Sequence, residues 1–469
     1  MTETRSNEGV QPVRENPLGT QPIFGLLLKF AIPSIIAMMV SSLYNLVDQI
    51  FIGHAIGPLG NAATNIVFPL NTTCTAIALL MGIGGAAAFN LAMGARDEKR
   101  AANYAGNAFT GLVALGVLLT IIAELFLEPM LRFFGSPEDV LPYAMEYTRI
   151  AAIGYPFLIS SLGGGHLIRA DGSPRYMLYC NLSGAILNTF LDALFVFQFR
   201  WGMTGAALAT VIGQVLSFAL VIRYMRGYKT VRLTRSCFTP QAEYIGRVLA
   251  LGTAPFFNQM AMMVVQIVMN KSLRYYGAQS VYGEAIPLAC SGIIAKVGMI
   301  FFSIIIGTSQ AMQPLVGFNY GAKKYDRVLE TFRLAMTFSG IVSLAAFLAF
   351  QFLPRQIISL FGEGSEEYFQ FAVRYFRIFM MLVLIDFAQP ISSNMFTSIG
   401  KPIKGVFLSL TRQILFLLPL YLILPQFFGI DGIIYSGPVA DLLAFICTMV
   451  LVTKELKEIR GLMAAEASG

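Results

Sequence analysis

Apolar runs of about twenty residues or more alternate with short loops rich in Gly, Pro and charge along nearly the whole 469-residue chain. Read as membrane spans, these runs predict twelve helices, at 24–52, 62–93, 104–128, 142–164, 176–197, 203–224, 245–272, 285–317, 327–352, 368–396, 404–425 and 431–453. Lysine and arginine test that count. With the amino terminus inside, the inner loops collect Arg5, Arg14 and Lys29, then Arg96, Lys99 and Arg100, then Arg169 and Arg175, then the basic cluster 223–247. They go on to collect Lys323, Lys324, Arg327 and Arg333, then Lys401 and Lys404, then Lys454, Lys457 and Arg460. The outer loops keep only Arg132, Arg200, Lys271, Arg274 and Arg355. A wrong number of spans would break this alternation, so twelve spans with both ends cytoplasmic are expected.

The longest basic loop, 226–243, divides the chain into halves that echo each other. Pro33 corresponds to Pro255, GARDEKRA at Gly94 to GAKKYDRV at Gly321, and YTRI at Tyr147 to YFRI at Tyr375. GSPRY at Gly172 matches GKPIK at Gly400, and GMTGAA at Gly202 matches GIDGII at Gly429. Five matches in one order at a near-constant offset define an internal repeat. Each half holds an even number of spans, so both run the same way across the bilayer. The expected fold is an all-α integral membrane protein of twelve transmembrane helices in two six-helix bundles, related by a pseudo-two-fold axis along the membrane normal. Its parts are a cytoplasmic tail (1–22), an N-terminal lobe (23–225), a cytoplasmic linker (226–243), a C-terminal lobe (244–455) and a second tail (456–469). Rocking of one bundle against the other is the motion such an architecture supports.

Composition removes several function classes. With 56% hydrophobic and 13% charged residues and a mean hydropathy of +0.66, the chain is too apolar for a soluble globular protein. The net charge of +7 records cytoplasmic loops, so nucleic acid is not an expected partner. No GxxxxGK[ST] loop is present for nucleotide hydrolysis, and no HExxH, GxSxG or paired DxxxD constellation points to an enzyme. Cys74, Cys180, Cys237, Cys290 and Cys447 are scattered, and His54 and His166 have no ligand-spaced neighbours, so no disulfide framework, metal or other cofactor is expected. The polar first 22 residues read as a cytosolic tail rather than a signal.

Within the spans a few polar groups stand out. The run Pro33 to Gly53 carries Asp48, and an ionised aspartate there costs at least ~2.5–3.5 kcal/mol unless it is paired, wet or part of a mechanism. Counted at about 1.5 Å per residue, Asp48, Asp192 and Thr210 fall at one depth in the outer half of the first bundle, and Asn188 lies one turn deeper on the face of Asp192. Two close carboxylates in a poorly hydrated pocket do not both ionise comfortably, which suits a proton or small-cation site; hydrogen-bonded structural carboxylates are the plainer alternative. The second bundle has Lys296, Asp386, Arg412 and Asp441 near mid-membrane, with internal neutralisation as the structural alternative. The helix from Pro255 to Asn270 supplies Asn258, Gln259, Gln266 and Asn270 but no carboxylate. Gly82, Gly84, Gly85 and Gly307 are expected at close helix contacts. Met38, Met39, Tyr44, Phe256, Phe257, Met260, Met262 and Met263 are candidates for an adaptable central cleft.

The opening FAIPSIIAMMVSSLYNLVDQIFIGH, the GARDEKRA loop, RADGSPRY, NTFLDALFVF and the GFNYGAKKYDRV echo together resemble the multidrug and toxic compound extrusion (MATE) family, in its MepA-like bacterial branch, over essentially all of the chain after residue 22. The resemblance implies two six-helix lobes around a V-shaped cleft in a bacterial cytoplasmic membrane. It implies efflux of cationic, amphipathic drugs and dyes by a monomer, in exchange for protons or sodium ions. By position, Asp48 looks like the family's first-helix ion-site aspartate, with Asn188, Asp192 and Thr210 as its companions. Pro33 is similar to the proline about which that helix is proposed to bend; a proline removes a helix hydrogen bond and makes such a bend cheap. Asp386 falls where some members carry a C-lobe carboxylate, but the glutamate that accompanies it on span seven is missing here, which favours protons over sodium. A flippase for lipid-linked sugars is an alternative on the same fold; it would need buried cations for a diphosphate, and the N-terminal spans offer carboxylates instead.

Overall fold

In the computed structural model the described residues are 16–283, 285–360 and 366–467. The first fifteen residues of the expected tail, with Arg5 and Arg14, lie outside them. The first half comprises α1 (Ile23–Ala55), α2 (Pro58–Gly94), α3 (Glu98–Leu125), α4 (Leu127–Phe133), α5 (Leu141–Ile153), α6 (Tyr155–Ala170), α7 (Pro174–Asp192) and α8 (Gly202–Arg226). The second comprises α9 (Ala242–Ala278), α10 (Ala285–Gly321), α11 (Tyr325–Phe352), α12 (Pro354–Ser359), α13 (Glu366–Phe379), α14 (Val383–Asp386), α15 (Ala388–Ser398), α16 (Pro402–Leu410), α17 (Leu418–Phe428) and α18 (Ile430–Ala467). Two long helices, a 28-residue helix, a short corner helix and a broken span follow in the same order in each half. The repeat seen in the loops is therefore a repeat of architecture. Both fifth spans also contain a π-helical stretch, Ala193–Gln198 after α7 and Thr411–Leu417 between α16 and α17. Such local widening is a frequent companion of functional sites.

Span boundaries follow the expected pattern with three differences. Among the described residues ten helices are singly long and apolar enough to cross a bilayer, and α5 with α6, bent by 55° at their junction, makes eleven. Pro156 causes that bend: it leaves the Ala152 carbonyl without its helical donor, and Thr120 Oγ1 donates to it at 2.7 Å. The run expected as a continuous span at 368–396 is broken into α13, α14 and α15 by turns at Met380–Leu382 and Phe387. Pro390 cannot donate to the Asp386 carbonyl, which accounts for the second break. Finally, much of the expected tail 456–469 continues α18 to Ala467. No proline stops it, and Lys401 and Lys404 bind the buried Glu455 carboxylate at 2.6 and 2.5 Å where the helix leaves the bundle.

Burial separates two cores, one per lobe, and α1 and α9 cross between them. Ile23, Leu26, Leu27, Phe30 and Ala31 of α1 sit in the core of the second lobe, whereas Ala37 and Ile52 sit in that of the first. Helix α9 does the reverse, with Val248 and Leu251 in the first core and Val265, Met269 and Leu273 in the second. Pro33 and Pro255 mark the two crossovers.

The lobes meet over only part of their length. Backbones touch where α2 passes α9, because a methyl group on Gly84 would strike the Val248 carbonyl and one on Gly252 the Leu80 carbonyl. Gln313 Nε2 donates to the Ile83 carbonyl at 3.0 Å, and Ser42 and Ser303 hydroxyls are 3.1 Å apart. Gly82, Gly85 and Gly307 likewise sit against Gly163, Ala108 and Ile35. Among the described residues, every side-chain hydrogen bond between the bundles lies on the amino-terminal side of the Ser42–Ser303 contact. On the other side of that contact no such bond joins the bundles among the described residues.

Candidate functional site

The polar groups of the first lobe converge where α1, α7 and α8 pack. Close approach of α7 and α8 is set by Gly184 and Gly213, each with the other helix's backbone or side chain where a Cβ would stand. One turn on, Asn188 Nδ2 donates to Thr210 Oγ1 at 3.3 Å, and that hydroxyl donates to the Ala206 carbonyl at 3.0 Å. Asp192 is 1% exposed and Asn188 2%. Asp48 comes in from α1, and its carboxyl faces that of Asp192. Among the described residues no donor reaches either oxygen of Asp192, Oδ1 of Asp48 or Oδ1 of Asn188. Buried oxygens are almost always satisfied. A pair of facing carboxyl groups satisfies itself only by holding a proton or another small cation between its oxygens.

Sequence reading brought Asp48, Asn188, Asp192 and Thr210 to one depth; side-chain contacts bring them to one cluster. Two tyrosines join it. Tyr44, assigned above to the drug cleft, lies beside Thr210, and so does Tyr147 of α5. Tyr147 stands in the sequence only as the opening of the YTRI repeat motif, with no charge to mark it on its apolar span.

The second lobe holds a different arrangement. Arg412, in the π-helical stretch, donates from Nε to Asp441 Oδ1 at 2.6 Å and lies 3.4 Å from Asp386 Oδ1. All three are largely buried. Internal neutralisation is thus incomplete, since one guanidinium faces two carboxyl groups. Lys296 does not complete it: it is exposed on α10 and forms no ion pair among the described residues. Gln259 is half-buried on α9 and is likewise not bonded to the triad. Met38, Phe256, Met260 and Met263 are half-buried. Met38 lies where α1 packs on α10 between Ile35 and Ser42, and the α9 group lies just beyond the Gly252 contact.

One polar hub escaped the sequence reading. Asp171, in the turn between α6 and α7, accepts from Tyr224 Oη and Lys229 N at 2.7 Å, Thr230 N at 2.9 Å and Thr230 Oγ1 at 2.5 Å. Burial pushes its carboxyl up from the ordinary aspartate value, and these donors pull it back. The hub ties the start of the interlobe linker to the first lobe.

Comparison with known proteins agrees with this fold. The sequence profile of the family described as MatE matches residues 33–194 and 255–423. The multidrug export protein MepA of Staphylococcus aureus (strain MSSA476) is 22% identical over 432 residues, covering 92% of this chain and 94% of that protein. A solved structure described as the outward-facing conformation of a multidrug resistance MATE family transporter of the MOP superfamily superposes with a TM-score of 0.87 at 22% identity, over 98% of this chain and 100% of that one. A MATE structure in a bent conformation superposes equally well, with a TM-score of 0.87 at 22% identity, over 95% and 98%.

Proposed function

Because this chain belongs to the MatE family, we propose that it is an efflux antiporter that exports cationic amphipathic compounds, driven by protons. A relative spanning nearly the same length is a multidrug export protein, and the alternation of basic loops supports a multi-pass bacterial inner-membrane protein with both ends cytoplasmic. In this reading the lobes are residues 23–225 and 244–455, the chain works as a monomer, and the open cleft faces outward.

The observation that carries proton coupling is the Asp48–Asp192 pair. Facing carboxyl groups hydrogen-bond to each other through a shared proton, and among the described residues no donor reaches Asp48 Oδ1 or either oxygen of Asp192. With the pair deprotonated, its negative charge favours a cation in the cleft, whose apolar part rests on Met and aromatic side chains of α1 and α9. A proton arriving from the open side removes that charge, and the cation is released. The change also alters what holds the outer part of α1, and Pro33 lets the helix respond by bending without breaking a backbone bond. Cargo and proton thus compete for one state of the first lobe, which is what exchange requires.

Sodium is the second reading. The orphan Asn188 Oδ1 beside the carboxyl oxygens favours it, since a hard cation takes several oxygen ligands. Proteoliposomes separate the two: dye efflux should follow an imposed pH gradient without sodium. Drive by a sodium gradient alone, with no response to pH, overturns the proton assignment. Asp48→Asn should fold and fail to couple.

A further inference from the structure

The end of the second lobe farthest from the amino terminus carries a pocket of about 620 Å³ between α12 and α13. It has no part in the exchange described above. Helix α13 is strongly amphipathic: Glu366, Gln370, Arg374 and Arg377 recur at helical spacing, opposite the buried Phe371, Ala372, Tyr375 and Phe376. The pocket lies along this polar stripe and is completed by Arg355 of α12 and by Phe369 and Val373 of α13. Its ionisable lining residues are Arg355, Arg374, Arg377 and Glu366, so positive charge is in excess.

Two arginines are committed and one is not. Arg355 makes a two-point pair with Glu366, at 3.1 and 2.8 Å, with its guanidinium over the Phe369 ring. Arg374 reaches Asp431 at the start of α18, at 2.8 Å. Arg377 is held in place by Gln351, its Nε donating to the Gln351 carbonyl at 3.1 Å and its own carbonyl accepting from Gln351 Nε2 at 2.9 Å. Among the described residues Arg377 has no carboxylate partner, and its terminal nitrogens make no hydrogen bond. Beside the charges the wall turns apolar. Phe352 in that wall is 72% exposed, so the pocket sits where polar and apolar surface meet, as a headgroup site at a membrane boundary must.

The internal repeat shows that this charge is particular to the second lobe. Aligning YTRI with YFRI places Arg149 opposite Arg377 but Glu146 opposite Arg374, and aligning FFG at Phe133 with LFG at Leu360 places Glu128 opposite Arg355. Asp431 stands opposite Thr204, which donates to Glu146 from both its backbone N and its Oγ1. The joint is the same in both lobes, with its charge inverted.

We infer that this pocket binds the phosphate of an anionic phospholipid, with Arg377 as the principal contact, Arg374 as its neighbour and the acyl chains running down past Phe352 and Val373. A guanidinium fork matches phosphate oxygens, and basic pockets beside membrane helices are suited to such headgroups. The reading is independent of what the cleft carries.

The test uses the full chain in detergent, titrated with dioleoyl phosphatidylglycerol or dioleoyl phosphatidylcholine and followed by native mass spectrometry. Phosphatidylglycerol should be retained in preference to phosphatidylcholine. Arg377→Gln should lower its retention about fivefold, and Val373→Trp, which fills the pocket without removing a charge, should exclude it. Millimolar inorganic phosphate should leave the lipid bound, because the chains contribute to holding it. Equal retention of the two lipids, or undiminished phosphatidylglycerol on whichever variant elutes as a folded monodisperse species, overturns the proposal. Displacement by inorganic phosphate assigns the pocket to a free anion and overturns the lipid assignment.

Discussion

At the scale of single residues, the facing carboxyl groups of Asp48 and Asp192 make a sharper prediction than either alone. If one proton serves both, Asp48→Asn and Asp192→Asn should each abolish pH-driven dye efflux, and the double variant should lose no more than either single one. Residues acting as a unit are non-additive in this way. Additive partial losses, measured as initial efflux rates at matched expression, would separate the two groups. Asp171 predicts a different phenotype. Its carboxylate accepts from Tyr224, Lys229 and Thr230, and an asparagine there turns one acceptor into a donor aimed at donors. Leaving a buried donor unpaired costs about 1–3 kcal/mol, so Asp171→Asn should lower the melting temperature in detergent while the surviving folded protein still couples. A variant that melts normally but no longer transports would move Asp171 from the scaffold into the mechanism.

At the scale of elements, Pro33 and Pro255 stand where α1 and α9 pass from one core to the other. Pro33→Ala would supply the N–H that the Lys29 carbonyl lacks within the helix. The helix should gain about 1 kcal/mol or more and lose ease of bending. The expected result is a higher melting temperature with slower efflux; unchanged efflux kinetics would remove Pro33 from the switch. The crossover itself was not legible in the sequence. Both helices are apolar along their length, and apolar periodicity does not say which of two cores a given turn joins. The repeat was legible because its landmarks are glycines with backbone needs: Gly172 and Gly400 take positive φ in turns, and Gly94 and Gly321 end helices where a Cβ would strike the Phe318 and Leu91 carbonyls. Broken spans were half legible: Pro156 and Pro390 mark the breaks, but hydropathy averages over them. The π-helical stretches left no residue signature. For the site, depth counting on α1, α7 and α8 placed Asp48, Asn188, Asp192 and Thr210 correctly with respect to one another. Tyr147 escaped because an uncharged tyrosine in an apolar run does not stand out as a carboxylate does.

At the scale of the molecule, the side-chain hydrogen bonds between the lobes lie on one side among the described residues, and the last of them joins Ser42 and Ser303. Close-packed seams do not deform gradually; they are made or broken. Exchange by rocking therefore requires that α1 and α10 separate there once per cycle. The two serine oxygens are 3.1 Å apart, so their Cβ atoms lie within reach of a disulfide geometry. The native cysteines interfere little, since Cys74, Cys180, Cys237 and Cys290 are buried and Cys447 is half-buried; a Cys447→Ser background removes the most accessible of them. In that background, Ser42→Cys with Ser303→Cys should form a crosslink under mild oxidant. The oxidised protein should still take up a proton or cargo from the open side, because the cleft and the carboxyl pair lie beyond the lock. It should not complete transport, and reductant should restore efflux to the rate of the unoxidised double variant. Either single cysteine should be insensitive to oxidant. Full-rate efflux by the crosslinked protein would mean that this seam stays closed throughout the cycle, and cargo would then need a route that leaves the Ser42–Ser303 contact intact.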